Sequence, residues 1–214
     1  MKSLQKCRYK QIEKIFVERY KDAKTELNYK NLYELLICVI LSAQCTDKRV
    51  NLITPALFKS YPNVYSLSKA SLKDVKELIK SCSFFNNKAK NIIAMAKQVV
   101  DKFNGEIPLN QEELKSLSGV GQKTANVVLL EYCGKNLMAV DTHVFRVSHR
   151  LGLSKASNPE STEKDLNRIF KQNRAILHQG FVLFGRYICK AIKPECKECF
   201  VYDFCKYDNK MELK

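Results

Sequence analysis

Residues 112–132 read EELKSLSGVGQKTANVVLLEY. An apolar stripe, Leu114, Leu117 and Val120, runs into Gly119-Val120-Gly121, and a second helical pattern begins at once. Two glycines around one apolar residue allow a tight turn between helices, and without Cβ atoms they let another backbone approach closely. The turn amides and the N-terminus of the second helix carry partial positive charge, which suits a phosphate. This is the helix–hairpin–helix pattern, which contacts nucleic-acid backbone rather than bases and so binds without reading sequence. Gly119, Val120 and Gly121 are therefore candidate DNA contacts. A plain interhelical turn is the alternative, and the run Lys123-Thr124-Ala125-Asn126-Val127-Val128 that follows favours the DNA reading.

Lys123 falls in the first turn of the second helix, where the helix dipole works against an added positive charge. The position suits an amine that attacks a carbonyl-like carbon, and it equally suits one more phosphate-binding lysine. Further on, Val140-Asp141-Thr142-His143 places an acid directly before a helical stripe. Such an aspartate is ordinarily an N-cap. It also has the chemistry to stabilise an oxocarbenium-like sugar as a base departs, and to help deprotonate a nucleophile.

Outside this hairpin the pattern is helical throughout. Leu72, Val75, Leu78, Ile79 and Cys82 mark one helix face, and Ala89, Ile92, Ile93, Ala96, Val99, Val100 and Phe103 a longer one. Ser71 stands three residues before Asp74 and Asn110 three before Glu113, as N-caps with acidic partners do. Gly105 and Pro108 close the long helix. The expected fold is all-α, with about ten helices of ordinary length in two lobes. The 214 residues suffice for that.

The formal net charge is +15, which suits a polyanion such as nucleic acid. No segment approaches the ~18 consecutive apolar residues of a membrane span, and Leu35 to Leu41 reads as a buried helix. No apolar stretch behind the N-terminus resembles a signal peptide. The expectation is an intracellular monomer of the cytoplasm or nucleoid, without a membrane partner. Nine cysteines, an odd number, point in such a reducing compartment to metal or buried thiols rather than to a disulfide framework.

Four of them, Cys189, Cys196, Cys199 and Cys205, follow C-x6-C-x2-C-x5-C. Four thiolates in so short a stretch hold either zinc or a [4Fe–4S] cluster. Zinc sites more often come as two separated C-x2-C pairs, so one pair flanked by single ligands favours the cluster. The loop between the first two ligands carries Lys190 and Lys193, which such a loop would present to phosphates.

Taken together, these residues resemble the endonuclease III family of DNA glycosylases with strand-cleaving activity. The resemblance spans nearly the whole chain. It rests on Thr25-Glu26-Leu27-Asn28, Leu41-Ser42-Ala43-Gln44-Cys45-Thr46-Asp47, Asn87-Lys88-Ala89-Lys90-Asn91-Ile92, the hairpin, Val140-Asp141-Thr142-His143, Gly185-Arg186-Tyr187 and the cysteine pattern. It implies a six-helix bundle over residues 26–135, and a [4Fe–4S] lobe made of residues 1–25 and 136–214. It implies Lys123 as the nucleophile that forms a Schiff base and Asp141 as the catalytic aspartate. Oxidised pyrimidines in duplex DNA, or abasic sites, are the implied substrates. Gln44 matches the position that fills the gap left in the base stack, and Phe84 a position that wedges into the opposite strand.

The chain departs from the family pattern at four places. The family usually has Pro where Ser118 stands, Arg or Lys at Gln122, often His at Phe184, and commonly Pro at Phe200. These departures bear on DNA affinity and damage preference rather than on the chemistry. Three other readings compete: an adenine-mismatch glycosylase, against which Lys123 argues; a non-catalytic hairpin protein, against which Lys123 and Asp141 together argue; and a zinc-stabilised DNA-binding module with no cluster, which would be colourless because Zn²⁺ is d¹⁰.

Overall fold

A computed structural model describes residues 2–210, with side chains from Leu4 onward. Among the described residues there are eleven α-helices, two short 3-10 turns and no strand. They divide into two compact units, residues 25–133 and a second unit in which residues up to Lys24 join those from Gly134 onward.

The unit 25–133 follows the N-terminal helix α1 (Lys2–Tyr20). It contains α2 (Leu32–Ser42), α3 (Asp47–Ser60), α4 (Val64–Ser68), α5 (Leu72–Ile79), α6 (Phe85–Phe103), α7 (Gln111–Ser116) and α8 (Gln122–Cys133). α4 is a single five-residue turn. α2 is the centre because it has no polar face: every residue from Leu35 to Leu41 is buried. Each such side chain contributes roughly 1.5–3 kcal/mol relative to exposure. Asn31 caps α2 by accepting from the Glu34 amide at 3.0 Å, and α3, α6 and α8 pack around it.

α6 buries the stripe its periodicity predicts, Ala89, Ile92, Ile93, Ala96 and Val99, and ends where Asn104 and Gly105 turn left-handed. The amide of Gly105 donates to Val99 O at 3.0 Å. Of the two predicted caps, Asn110 accepts from the Glu113 amide at 2.9 Å. Ser71 occupies the N-cap of α5 but makes no side-chain cap bond. The spacing located that helix start correctly and overstated the hydrogen bonding there.

In the second unit α1 packs on α11 (Arg174–Tyr187), and α11 in turn on α9 (Thr142–Arg150), with α10 (Pro159–Ile169) beside α9. Ile12, Phe16, Val144, Val147, Leu166 and Phe181 form its centre. The aromatic rings interlock edge to face: Phe16 meets Phe181 at 4.7 Å and Phe184 at 5.3 Å between centroids. Arg8 of α1 donates to Phe204 O at 2.6 Å, tying the first helix to the segment that follows α11.

Candidate functional site

The hairpin is built as the sequence predicts, with one asymmetry. Leu114, Leu117 and Val120 are buried. Gly119 has φ +80, and a Cβ there would lie 2.9 Å from Asn91 Cβ. Glycine at this position is therefore demanded by the fold. A Cβ on Gly121 would meet nothing within 4 Å. Gly121 O accepts the first helical bond of α8, from the Ala125 amide at 3.0 Å. By helix geometry the preceding amides of α8 have no acceptor within the helix, and its first turn contains no acid. An anion fits there.

This asymmetry predicts two different mutants. Gly119→Ala should lower Tm by roughly 4–10 °C, since the left-handed backbone alone opposes a side chain by about 1–2 kcal/mol and the Asn91 contact adds to it. Gly121→Ala should leave Tm within about 2 °C and weaken binding to undamaged duplex. Thermal unfolding and a duplex titration of both proteins would check this; equal loss of stability in both would refute the assignment.

Two of the departures lie here, and both have local explanations. The Ser118 amide donates to Gln98 Oε1 at 2.7 Å, while Gln98 Nε2 reaches Ser116 O at 3.4 Å. A proline at 118 would have no amide to give, so Gln98 holds the turn instead. Gln122 folds back onto buried Asn126, with Nε2 3.1 Å from Asn126 Oδ1. Gln111 binds the same oxygen. Lys123, half-buried, is the second residue of α8, and buried Thr124 and Ala125 follow it.

Gln44 and Phe84 sit on two turns of the same unit, both left-handed, with φ 54 and 56. For residues other than glycine that conformation is uncommon and often functional. Gln44 is exposed and Phe84 is 63% exposed, whereas Phe85 is partly packed. One residue organises both turns. Lys88 is buried, and its Nζ donates to Leu41 O at 2.7 Å, to Ala43 O at 2.6 Å and to Cys82 Sγ at 3.3 Å. It clamps the end of α2, just before Gln44, to the start of the Phe84 turn. Our sequence reading did not single out Lys88 as a site residue. The available signal was its register: one residue before Ala89 and four before Ile92, it occupies a core position of α6.

In the second unit Asp141 is the N-cap of α9, its Oδ1 accepting from the Val144 amide at 2.8 Å. The cap uses that one oxygen. His143 is half-buried, and burial lowers its pKa below the ordinary range against the opposing pull of Asp141. Its Nδ1 lies 3.2 Å from the Arg146 guanidinium.

The same helix holds the cysteine segment. Arg146 Nε donates to Cys189 O at 2.9 Å and NH2 to Gly185 O at 2.6 Å. Arg150, buried, reaches Cys189 Sγ at 3.4 Å, Lys190 O at 2.7 Å and Ala191 O at 3.1 Å. Burial pushes the Cys199 thiol up to about 11, and the fields of Cys189, Cys205 and Cys196 add to the shift. The four sulfurs thus share one electrostatic neighbourhood, with Arg150 donating into it.

Four thiols and a guanidinium N–H are a donor set that suits an iron–sulfur cluster, whose sulfurs accept such hydrogen bonds. Among the described residues no three His, Cys, Asp or Glu side chains gather as around a single metal ion. Lys193 is exposed with φ 51. Lys190 is paired across the loop with Glu195 at 2.7 Å. Phe184 and Phe200, the other two departures, lie 5.0 Å apart between ring centroids and both meet Phe16 edge to face. They are one aromatic replacement that packs the cysteine segment onto the core.

No helix among the described residues is long and apolar enough to cross a membrane. Residues 37–172 match the family described as HhH-GPD superfamily base excision DNA repair protein. The chain is 45% identical to endonuclease III of Rickettsia felis over 92% of this chain and 93% of that protein. It is 39% identical to that of Escherichia coli over 88% and 90%. A solved endonuclease III trapped as a covalent intermediate with DNA superposes with TM-score 0.88 at 40% identity, covering 92% of this chain and 95% of that one. A thermostable thymine-DNA glycosylase, 22% identical with TM-score 0.81, shares the fold.

Proposed function

The chain belongs to the endonuclease III family of the HhH-GPD superfamily, and from that premise we propose that Lys123 is the nucleophile and Asp141 the catalytic carboxylate of its reaction. The protein is a DNA glycosylase and AP lyase of base excision repair that acts on duplex DNA. Oxidised pyrimidines are the substrates we assign to it. The target nucleotide leaves the stack. Lys123 Nζ forms a bond to C1′ as the glycosidic bond breaks, and the base departs with the bonding electrons and a proton. Asp141, ionised, opposes the positive charge that builds on the sugar ring. Ring opening gives a Schiff base between Lys123 and C1′, which acidifies the C2′ hydrogens. Loss of one of them expels the 3′ phosphate by β-elimination.

Gln44 fills the vacated space and Phe84 enters the opposite strand, an apolar wedge offsetting part of the unstacking. The amides of Gly119 and Gly121 and of the first turn of α8 receive a phosphate, whereas the Val120 amide, a candidate by sequence, is spent on Leu117 O at 3.1 Å, and the Lys190–Lys193 loop lies along the backbone. The observation that carries this reading is the half-buried Lys123 on the anion-binding turn of α8 in a chain 40% identical to an endonuclease III trapped covalently with DNA, since phosphate binding alone forms no covalent intermediate. Borohydride trapping on a duplex with one thymine glycol tests it. A covalent protein–DNA band is expected; an active enzyme that gives no band would be monofunctional, contrary to the proposal.

Endonuclease III proteins generally bind a [4Fe–4S] cluster, and we assign Cys189, Cys196, Cys199 and Cys205 as its ligands here. When bound, the cluster holds the loop of Lys190 and Lys193 in shape. Arg150 secures that loop from behind through two carbonyls and one ligand sulfur. Arg150→Met is expected to lower iron content and visible absorbance and to reduce Tm by roughly 4–10 °C, from about 2–3 kcal/mol of lost charged hydrogen bonding. A variant with full iron and unchanged Tm would remove Arg150 from this role. A repair enzyme for duplex DNA meets its substrate in the cytoplasm or nucleoid, the location we assign to it, and there its thiols stay reduced.

A further inference from the structure

Two cysteines outside the proposed chemistry meet between the Gln44 and Phe84 turns. Cys82 is 2% exposed, with Leu41 O at 3.4 Å and Lys88 Nζ at 3.3 Å from its sulfur. The turn closed by the Cys45 amide, which donates to Ser42 O at 3.0 Å, brings Cys45 to the same end of α2, and its thiol acts electrostatically on Cys82. Cys45 directly follows Gln44 and is partly exposed. Lys88 joins the two stretches, since it also holds Leu41 O and Ala43 O. The Lys88 ammonium has its partners in those two carbonyls, and it also lies against the Cys82 thiol, a weak acceptor that adds little to holding a buried charge. The other thiols outside the C-x6-C-x2-C-x5-C set are differently placed. Cys7 and Cys133 are exposed, and Cys38 is fully buried with its sulfur directed at Asn28 O.

We propose that Cys45 and Cys82 form a redox-sensitive dithiol that hydrogen peroxide oxidises to a disulfide, fastening the Gln44 turn to the Phe84 turn. Cys45, the more exposed thiol, reacts first. Its sulfur forms a bond to one peroxide oxygen, the O–O bond breaks, and water leaves with the thiol proton, giving a sulfenic acid. Cys82 sulfur then attacks Cys45 sulfur; the S–S bond forms, the S–O bond breaks and a second water leaves with the Cys82 proton. Two thiols and one peroxide become one disulfide and two waters. The sulfurs lose two electrons and the peroxide gains them.

Burial, and after it the neighbouring Cys45 thiol, push the Cys82 thiol up, and Lys88 draws it back. That balance suits a resolving thiol which acts after Cys45 is oxidised, with the ammonium stabilising the developing thiolate. Disulfides in reducing compartments are typically transient and redox-sensing, and this one would be reversible. The consequence for DNA rests on the reading that Gln44 and Phe84 enter the duplex: linked turns no longer move independently into the two strands.

The full-length, cluster-loaded protein is treated with hydrogen peroxide. Remaining thiols are alkylated with N-ethylmaleimide, and tryptic peptides are weighed. The expected product joins peptide 31–48 to peptide 81–88 with the loss of two hydrogens. Because Cys38 shares peptide 31–48 with Cys45, Cys45→Ser is run alongside; in it the link should vanish and Cys82 should be alkylated. Two free or separately over-oxidised thiols in wild type, or a link that persists in Cys45→Ser, overturns the proposal. The same samples are titrated with a duplex carrying an uncleavable tetrahydrofuran abasic analogue. Oxidised wild type should bind roughly ten-fold more weakly and recover with dithiothreitol, while Cys45→Ser stays unchanged at the same visible absorbance. A linked protein with unaltered affinity overturns the fastening of the turns. Nicking of a thymine-glycol duplex by the reduced enzyme reports separately on the repair reading.

Discussion

Lys123→Ala is expected to abolish strand cleavage and borohydride trapping while leaving the fold and duplex binding largely intact. The substitution is mild for α8, because Lys123 is only half-buried at its second position and alanine is the best helix former. What it removes is the atom we propose bonds to C1′. Losing a covalent nucleophile typically lowers the rate by roughly four to six orders of magnitude. Affinity for an abasic analogue should fall by no more than about one phosphate contact's worth of salt dependence. Lys123→Arg separates nucleophile from phosphate ligand. A guanidinium keeps the charge and cannot act as a neutral amine, so it should bind DNA and fail to nick. Single-turnover cleavage of a thymine-glycol duplex decides the matter: nicking within ten-fold of wild type in either variant would leave Lys123 as a phosphate-binding residue only.

Asp141→Asn is expected to slow base release by about 10²–10³-fold, the usual loss when one preorganised stabilising group is removed, with little change in Tm. The argument depends on the cap. Asp141 Oδ1 already accepts from the Val144 amide, and asparagine is as good an N-cap as aspartate. The amide therefore preserves α9 while deleting the negative charge. Asp141→Ala deletes both and should lose about 1 kcal/mol more, roughly 2–4 °C in Tm. Rates and melting curves of the three proteins answer different questions. If Asp141→Asn kept full activity, the residue would be a cap alone. The prior reading as an ordinary N-cap and the reading as a catalytic group thus turn out to be compatible, because a carboxylate has two oxygens and the cap takes one.

Much of the fold was legible because it is local. The buried face of α6, the closure at Asn104 and Gly105, the Asn110 cap and the hairpin around Gly119 all depend on residues within a few positions of one another, and helical period makes those relations visible. The four cysteines were legible for the same reason, since chelate spacing is a sequence property. Even there the limits of local reasoning show: Ser71 stands correctly at the start of α5 yet makes no cap bond, because a hydroxyl in the right position still has a rotamer and water to choose between.

The contacts that shape the candidate site arise between residues far apart in sequence. Lys88 reaches back 45 and 47 residues to the carbonyls that end α2, and no period links those positions. Gln98 holds the Ser118 amide in place of a proline, and Phe184 and Phe200 replace two residues by one tilted aromatic pair. As single substitutions they look like unrelated losses; only packing shows that each has a partner. Lys190, which the sequence offers to phosphates, is also paired with Glu195 across an exposed loop. The amino-acid sequence by itself determined the helical class, the hairpin and the spacing of the cysteines, and it supplied the residues we assign to the chemistry, because those rest on residue type and short spacing. The tertiary structure alone decided which side chains hold them in place and which thiols meet, because a buried group's partners are whatever the folded chain brings within a few ångströms of it.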